Sequence, residues 1–277
     1  MFDFLHHSSD ADVVTEIWQR YQRGVEHHNR AALYSNTERA HQFFEGDQWS
    51  GLEAGGEQLP FYNFIQPVCE HKIASVAMNN MAIHYAPMGH SGDQRAAMTL
   101  CDALNALAAQ TWETQKMDRL MWEAIKEACI AGDSYVYFYN GALDAQLVDN
   151  VNLYLADEQQ TDLQKQPYLL FYERRTVDQV QQEARANGLS EEEIDRIVPD
   201  EADLAHAAPH AANEVKGVEK CACLLCLERR DGVISFSRAT KTVVYQPETP
   251  IAGLSLYPVA SLSWLRKKGA ARGNGEV

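Results

Sequence analysis

The sequence predicts an α+β fold in which long N-terminal helices pack on a small, mostly antiparallel β-layer. Three observations predict it. Apolar residues recur at helical spacing through residue 131, the period becomes strand-like after Gly132, and turn signals such as Asn140-Gly141 and Asp231-Gly232 separate the strand-forming runs.

Residues 11–45 read as helical, with Val14, Ile17, Trp18 and Tyr21 on one stripe before a polar, His-rich stretch from Glu26 to Arg30. Gly46 ends that segment, the run Gly51 to Gly56 is a loop, and Pro60 keeps the chain extended toward Asn63. Asn63 is placed to cap a helix whose first turn tolerates Pro67 and whose stripe is Ile65, Val68, Cys69, Ile73, Val76 and Ala77. Ile83 to Ala86 reads as a short strand, with Pro87 and Gly89 turning the chain. A helix follows from Asp93 to Trp112, carrying Met98, Cys101, Leu104 and Ala108. Another runs from Met117 to Ala131 on Met117, Leu120, Met121, Ala124, Ile125 and Ala128, and Gly132 stops it.

Tyr135 to Tyr139 is strongly β-forming, and Asn140-Gly141 suits a two-residue hairpin turn. The β-layer continues through Ala145–Val148, Val151–Leu155 and Tyr168–Glu173. Thr176 opens a short helix to Asn187, closed by Gly188, and Ser190 with Glu193 has capping-box spacing for another. Residues 200–217 lack a period and read as a mobile loop. Beyond them come a hairpin (Glu219–Glu228 and Val233–Arg238 around Asp231-Gly232) and strands at Thr242–Tyr245 and Leu256–Trp264. The organisation is therefore a mainly helical portion over residues 1–131, an α+β portion over 132–265, and a basic, Gly-rich connector over 266–277.

At 277 residues with 45% hydrophobic content the chain has material for a sizeable core. No window reaches the roughly 18 to 20 uncharged apolar residues of a membrane span, and Met1-Phe2-Asp3-Phe4 lacks the basic stretch of a secretory leader, so the chain reads as soluble and unsecreted. The six cysteines form no disulfide framework and suit a reducing compartment. A formal charge of −15 excludes indiscriminate DNA clutching, which requires Lys and Arg against phosphate, while leaving room for DNA that slides past.

Catalytic patterns are sparse. Cys221, Cys223 and Cys226 have part of a zinc spacing, but no second ligand pair follows them. On a strand Cys221 and Cys223 share a face that Cys226 does not, which favours core packing over ligation. The histidines (His6 with His7, His27 with His28, His206 and His210) form no HExxH pattern and read as solvated. The acidic group Glu191, Glu192, Glu193, Asp195, Asp200, Glu201 and Asp203 lacks calcium-loop spacing and reads as a solvated face. No phosphate-binding GxxxxGK and no GxSxG elbow is present. The aromatic group Phe43, Phe44, Trp49, Phe61, Tyr62 and Phe64 lies among Glu45, Asp47, Glu53 and Glu57, which suits packing or subunit contact better than base stacking.

Taken in order, these features resemble the portal proteins of tailed bacteriophages. The aromatic-Gly-x-Gln loop is Phe43-Phe44-Glu45-Gly46-Asp47-Gln48-Trp49. The Asn-led helix running to a proline is Asn63 through Pro87, and the helix ending in Gly-x-Ser-Tyr and a strand is Ala128 to Phe138. A segment like Val151 to Asp157, a hairpin with a central Asp-Gly, and a Tyr-Pro strand entering a basic Gly-rich segment (Tyr257 through Val277) complete the series.

The resemblance implies a non-enzymatic ring of about twelve subunits at one capsid vertex, through which double-stranded DNA is packaged and ejected without sequence specificity. Its partners would be other copies of itself, the terminase motor, the major capsid protein, and head-completion or tail adaptor proteins, with no membrane and no cofactor. It implies location in the virion, and in the host cytoplasm during assembly. Residues 1–131 and 132–265 would be portions of the wing and 266–277 the connector toward a stem, so that stem, clip and crown are missing and the chain is an N-terminal portion. Structural and assembly roles fall to Phe43, Phe44, Gly46, Gln48, Trp49, Asn63, Gly132, Tyr135, Tyr257 and Pro258, with no catalytic, cofactor-binding or metal-binding residue. Two alternatives stay open: a zinc-dependent hydrolase using Cys221, Cys223 and Cys226, and a cytoplasmic adaptor without a nucleic-acid role.

Overall fold

A computed structural model describes residues 10–50, 62–78, 83–87, 94–141, 144–201 and 217–277. The Gly51–Gly56 loop, Pro60, Phe61, Gly89, His6, His7, His206, His210, Asp203 and most of the expected mobile loop lie outside the described residues. The α+β class holds. Helices α1 (Asp10–Arg30), α2 (Leu33–Glu45), α3 (Ile65–Ala77), α4 (Gln94–Thr114), α5 (Met117–Ala131), α6 (Val177–Ala186) and α7 (Glu191–Ile194) combine with strands β1 (Asp133–Tyr139), β2 (Asp144–Val148), β3 (Leu153–Leu155), β4 (Tyr168–Thr176), β5 (Lys220–Arg230), β6 (Val233–Ala239), β7 (Val244–Pro250) and β8 (Val259–Ser263). The strand pairings are antiparallel, as expected, but they build two sheets and not one layer, in the orders β2-β1-β8 and β3-β4-β5-β6-β7.

The sheets belong to two compact units that interleave along the chain. One gathers Met1–Ala40, Asp149–Tyr257 and Arg266–Arg272; the other gathers His41–Val148, Pro258–Leu265 and Gly273–Val277. Each unit therefore draws on segments from both ends of the sequence. Local periodicity reports the type of an element, whereas the pairing of β1 with β8, over a hundred residues later, is set by tertiary contacts.

In the first unit the five-stranded sheet carries helices on both faces. Strand β5 is buried from Cys221 to Leu227, and a strand covered on both sides reads as a continuous apolar run, here CACLLCL. Cys221 and Cys223 join Val180, Ala184, Ile194, Ile197 and Tyr245 beneath α6 and α7, while Leu224 and Cys226 join Ile17, Tyr21, Val25 and Tyr154 beneath α1. Each fully buried aliphatic chain contributes about 1.5–3 kcal/mol relative to exposure. Gly24 lets α1 approach: a Cβ there would meet the Tyr154 ring at 2.7 Å. The Ser190–Glu193 capping box forms, as does the two-residue Asp231-Gly232 turn, with φ of 51° and 80°.

In the second unit α5 packs on β2-β1-β8 and α3 packs on α5. Ala124, Ile125, Ala128, Cys129 and Ile130 form the buried side of α5, and Cys69 and Ile73 that of α3. Gly132 ends α5 at φ 102°. The final residues fold back onto this corner: Leu265 and Asn274 form a bridge, and the Glu276 amide donates to the Cys129 carbonyl at 2.7 Å. The backbone of Ala271, Gly273, Asn274 and Glu276 thus finds partners within the fold.

Four further expectations give way to tertiary context. The helix over 11–45 breaks at Ala32, whose φ is 53°. Ile83 to Ala86 forms no strand: the Tyr85 amide and carbonyl both bond the Asn105 side chain (2.7 and 3.1 Å), which takes the place of a neighbouring strand. Asn140 and Gly141 adopt the expected positive φ, yet the ladder closes at Tyr139–Asp144, so the loop spans four residues. Val151 lies in a single helical turn, Asn150–Asn152, ahead of β3.

Gly275 has the least room of any glycine described: a Cβ there would collide with the Ile130 carbonyl oxygen. Gly275→Ala is expected to lower stability by about 1–3 kcal/mol or more, the range for overpacking against a rigid neighbour. Gly253→Ala, where a Cβ meets nothing but φ is 77°, should cost less. Urea unfolding of the two variants checks the order.

Candidate functional site

The residues singled out by the resemblance stand at junctions of the fold. Gly46, at φ 87°, ends α2 with a paired cap: its amide donates to the Phe43 carbonyl at 3.2 Å and the Asp47 amide to the Gln42 carbonyl at 2.8 Å. Asn63 joins α2 to α3. Its Nδ2 donates to the Phe44 carbonyl at 2.8 Å, and its Oδ1 accepts from the Gln66 amide at 3.1 Å, which is the capping role expected of it. Phe44 is buried with the Lys126 ammonium 5.0 Å from its ring centre, whereas Phe43 and Gln48 are half-buried and Trp49 is 37% exposed. Of the aromatic group expected to serve packing or subunit contact, Phe44 is packed within the chain. Tyr62 and Phe64 are exposed and stacked on each other, their centroids 6.2 Å apart.

Gly132 and Tyr135 sit where α5 turns into β1. The Trp264 amide donates to the Gly132 carbonyl at 2.9 Å, and Tyr135, buried, pairs with Val148 and Ser261. Pro258 accepts from the Phe138 amide at 2.8 Å. Tyr257 belongs to the first unit: its hydroxyl donates toward the Gln166 and Pro167 carbonyls at 2.9 Å, and Arg229 lies over its ring. These ten residues do not converge on one site; they are fasteners distributed over both units.

A polar cluster that the sequence reading missed is built on Arg272. In the first unit its guanidinium is 11% exposed and donates to both Glu158 oxygens (3.1 and 3.0 Å), to the carbonyls of Asn150 (2.8 Å) and Leu153 (2.6 Å), and to His28 Nε2 (3.0 Å). Arginine only donates, so His28 Nε2 accepts and its proton sits on Nδ1. His28 is fully buried and stacked on Tyr154 at 4.5 Å, not on a solvated face as expected. Burial, with the Arg272 charge, holds its pKa down at about 4 despite the opposing pull of Glu158. Burial alone would raise Glu158, but the Arg272 charge and the hydrogen bonds from Arg272 outweigh it and bring it to about 2. Nothing local to His28 signals a partner 244 residues away; the lone Arg272 among small residues was visible only as composition.

In the second unit the next residue, Gly273, donates its amide to both oxygens of buried Asp133 (2.9 and 3.0 Å), which also accepts from Ser263 at 2.7 Å. Asp200, expected to be solvated with the acidic group, instead accepts from Arg174 and the Ala222 amide and pairs with Lys241 at 3.3 Å. Glu191 and Glu192 are exposed, as expected.

Chemistry is thinly provided for among the described residues. Cys221 and Cys223 place their sulfurs 4.0 Å apart under α6, while Cys226 faces α1 with Arg20 4.0 Å from its sulfur, so the three cannot share one ion without reversing a strand face. No group of three or more His, Cys, Asp or Glu side chains is arranged to hold a metal among the described residues. An open groove of about 520 Å³ in the first unit is lined by Trp18, Tyr21, Tyr172, Gln22, Glu26 and Lys241, the last already paired with Asp200. No described helix is long and apolar enough to cross a membrane. No protein-family model matches this chain, and no curated protein is similar to it.

Two outcomes are expected. Phe44→Ala should cost about 3–5 kcal/mol, as for buried aromatics generally, and Trp49→Ala distinctly less, read from thermal or urea unfolding. Acid should weaken the fold in a defined window. Unfolded His28 takes up its proton near pH 6.5 and folded His28 only near 4, so stability falls as pH drops from 6.5 to 4, by up to about 3 kcal/mol from this residue. Glu158 extends the loss from 4.5 down to 2. His28→Gln should flatten the pH dependence between 6.5 and 4.5, measured by denaturation at each pH.

Proposed function

We propose that this chain forms the wing of a tailed-bacteriophage portal protein, a ring-forming DNA conduit and not an enzyme. One observation carries the reading: the motifs that make the resemblance, in their chain order, fall on the fasteners of the fold. Gly46 and Asn63 couple α2 to α3, Gly132 turns α5 into β1, Asp231-Gly232 closes the β5–β6 hairpin, and Pro258 leads into β8. Cap and turn residues placed at joints suit a scaffold, because a joint is where a specific backbone conformation is required.

Electrostatics agree with the role. A charge of −15 on each subunit gives a ring whose field repels DNA, and a polymer that must move through a channel benefits from not adhering to its wall. Such a ring would occupy a capsid vertex, be assembled in the host cytoplasm, and meet the terminase motor, the capsid protein and the head-completion or tail adaptor proteins.

Negative-stain microscopy of the complete product of the gene tests the proposal. Closed rings of about twelve subunits around a channel are expected; a uniform population of monomers or closed dimers would remove the portal reading.

A further inference from the structure

Helix α4 is 21 residues long and none of them is buried. Its charged residues are Arg95, Asp102 and Glu113, which share one side of the helix. Another side carries Ala96, Leu100, Ala103 and Leu107, all exposed and spaced 4-3-4, an alternation of small and large residues that suits an inserting partner. Helix α3 has the complementary character. Opposite its buried Cys69 and Ile73 it presents Phe64, Val68 and Met78, 75, 52 and 81% exposed, with Tyr62 stacked on Phe64 and the exposed His71 and Ser75 between Val68 and Met78. The α4 seam has hollows at its alanines, and the α3 stripe has bulk.

We infer that the α3 stripe of one copy of this chain packs against the α4 seam of the next. Each copy then offers two different apolar faces, the arrangement a head-to-tail contact needs in order to propagate and close a ring. Area agrees. Tyr62, Phe64, Val68, Met78, Leu100 and Leu107 are each more than half exposed, and the two faces together bring apolar surface on the order of 700 Å² to the contact, against roughly 900 Å² in a standard interface. Charge selects the occupant. A basic partner would be drawn to the acidic remainder of a −15 chain, whereas two acidic copies approach at least cost through surfaces without formal charge. The inference rests on the proposed ring for the number of copies, and on these two faces for the contact itself.

Complementation between two variants of the complete gene product is the test. Leu100→Glu/Leu107→Glu spoils the seam, Val68→Glu/Met78→Glu spoils the stripe, and Val198→Glu/Val218→Glu adds the same charge at exposed apolar positions of the first unit. Circular dichroism confirms that each is folded. In sedimentation velocity the wild type and the third variant should associate, and the first two should each do so at least about ten-fold more weakly. Mixed one to one, the first two should pair and go no further, since each supplies the face the other lacks. Association by the seam variant equal to wild type, a mixture that stays monomeric, an equal loss in the third variant, or a wild type that never associates would overturn the inference. Rings that survive in the seam variant refute the contact and leave the portal reading standing. Association that the seam variant abolishes, but that never closes into rings, does the reverse.

Discussion

A guanidinium taken out of water must have all its donors engaged, and around Arg272 that demand organises the first unit. Burying a charge costs several kcal/mol unless it is paired and fully hydrogen-bonded. The partners come from three places: Glu158 from the loop after β3, the carbonyls of Asn150 and Leu153 from the turn into β3, and His28 from the last turn of α1. The dependence is mutual. Without the guanidinium those carbonyls, the Glu158 carboxylate and the imidazole would lose a partner in a place with little access to water, and an orphaned buried acceptor costs more than the bond that satisfied it gains. The residue that follows is held just as closely, with the Gly273 amide on Asp133 and glycines wherever a Cβ would strike the backbone of α5 or Leu265.

Local chemistry made much of this fold legible. Gly46, Gly132 and Gly188 stop their helices because only glycine accepts the left-handed positions those caps require, and Thr176 and Ser190 cap theirs through side-chain oxygens. The alternation of Cys221, Cys223 and Cys226 between faces follows from the two-residue period of a strand. What escaped was long-range. No local pattern distinguishes a solvated histidine from His28, or a solvated aspartate from Asp200, since burial was decided by Arg272 and Arg174 arriving from elsewhere. The division into two sheets was hidden for the same reason: the hairpin residues announce a strand and its turn, but not which later strand closes the other edge.

The candidate site was legible only as a set of joints. Gly46, Asn63, Gly132 and Pro258 could be singled out because a turn or a cap has a residue preference, and each does hold a junction. The outward stripe of α3 misled. Read from sequence, Val68 joins the core face with Cys69 and Ile73. In the structure it lies on the opposite side with Phe64 and Met78, because α5 covers only the side that carries Cys69 and Ile73.

That surplus of apolar surface has to be set against the charge. Self-repulsion among copies at −15 each would keep this chain monomeric if its surface were uniformly acidic, and solubility would then be its main consequence. The surface is not uniform. The outward sides of α3 and the α4 seam carry no Asp, Glu, Lys or Arg, so repulsion elsewhere does not oppose contact through them so much as exclude other orientations. Strong net charge and a neutral apolar stripe thus act together: the first penalises every arrangement that brings acidic surfaces face to face, and the second supplies the attraction in the arrangement that remains. For the proposed scaffold, which would associate in one register while letting a polyanion pass, this separation of charge from contact would satisfy both requirements with one sequence.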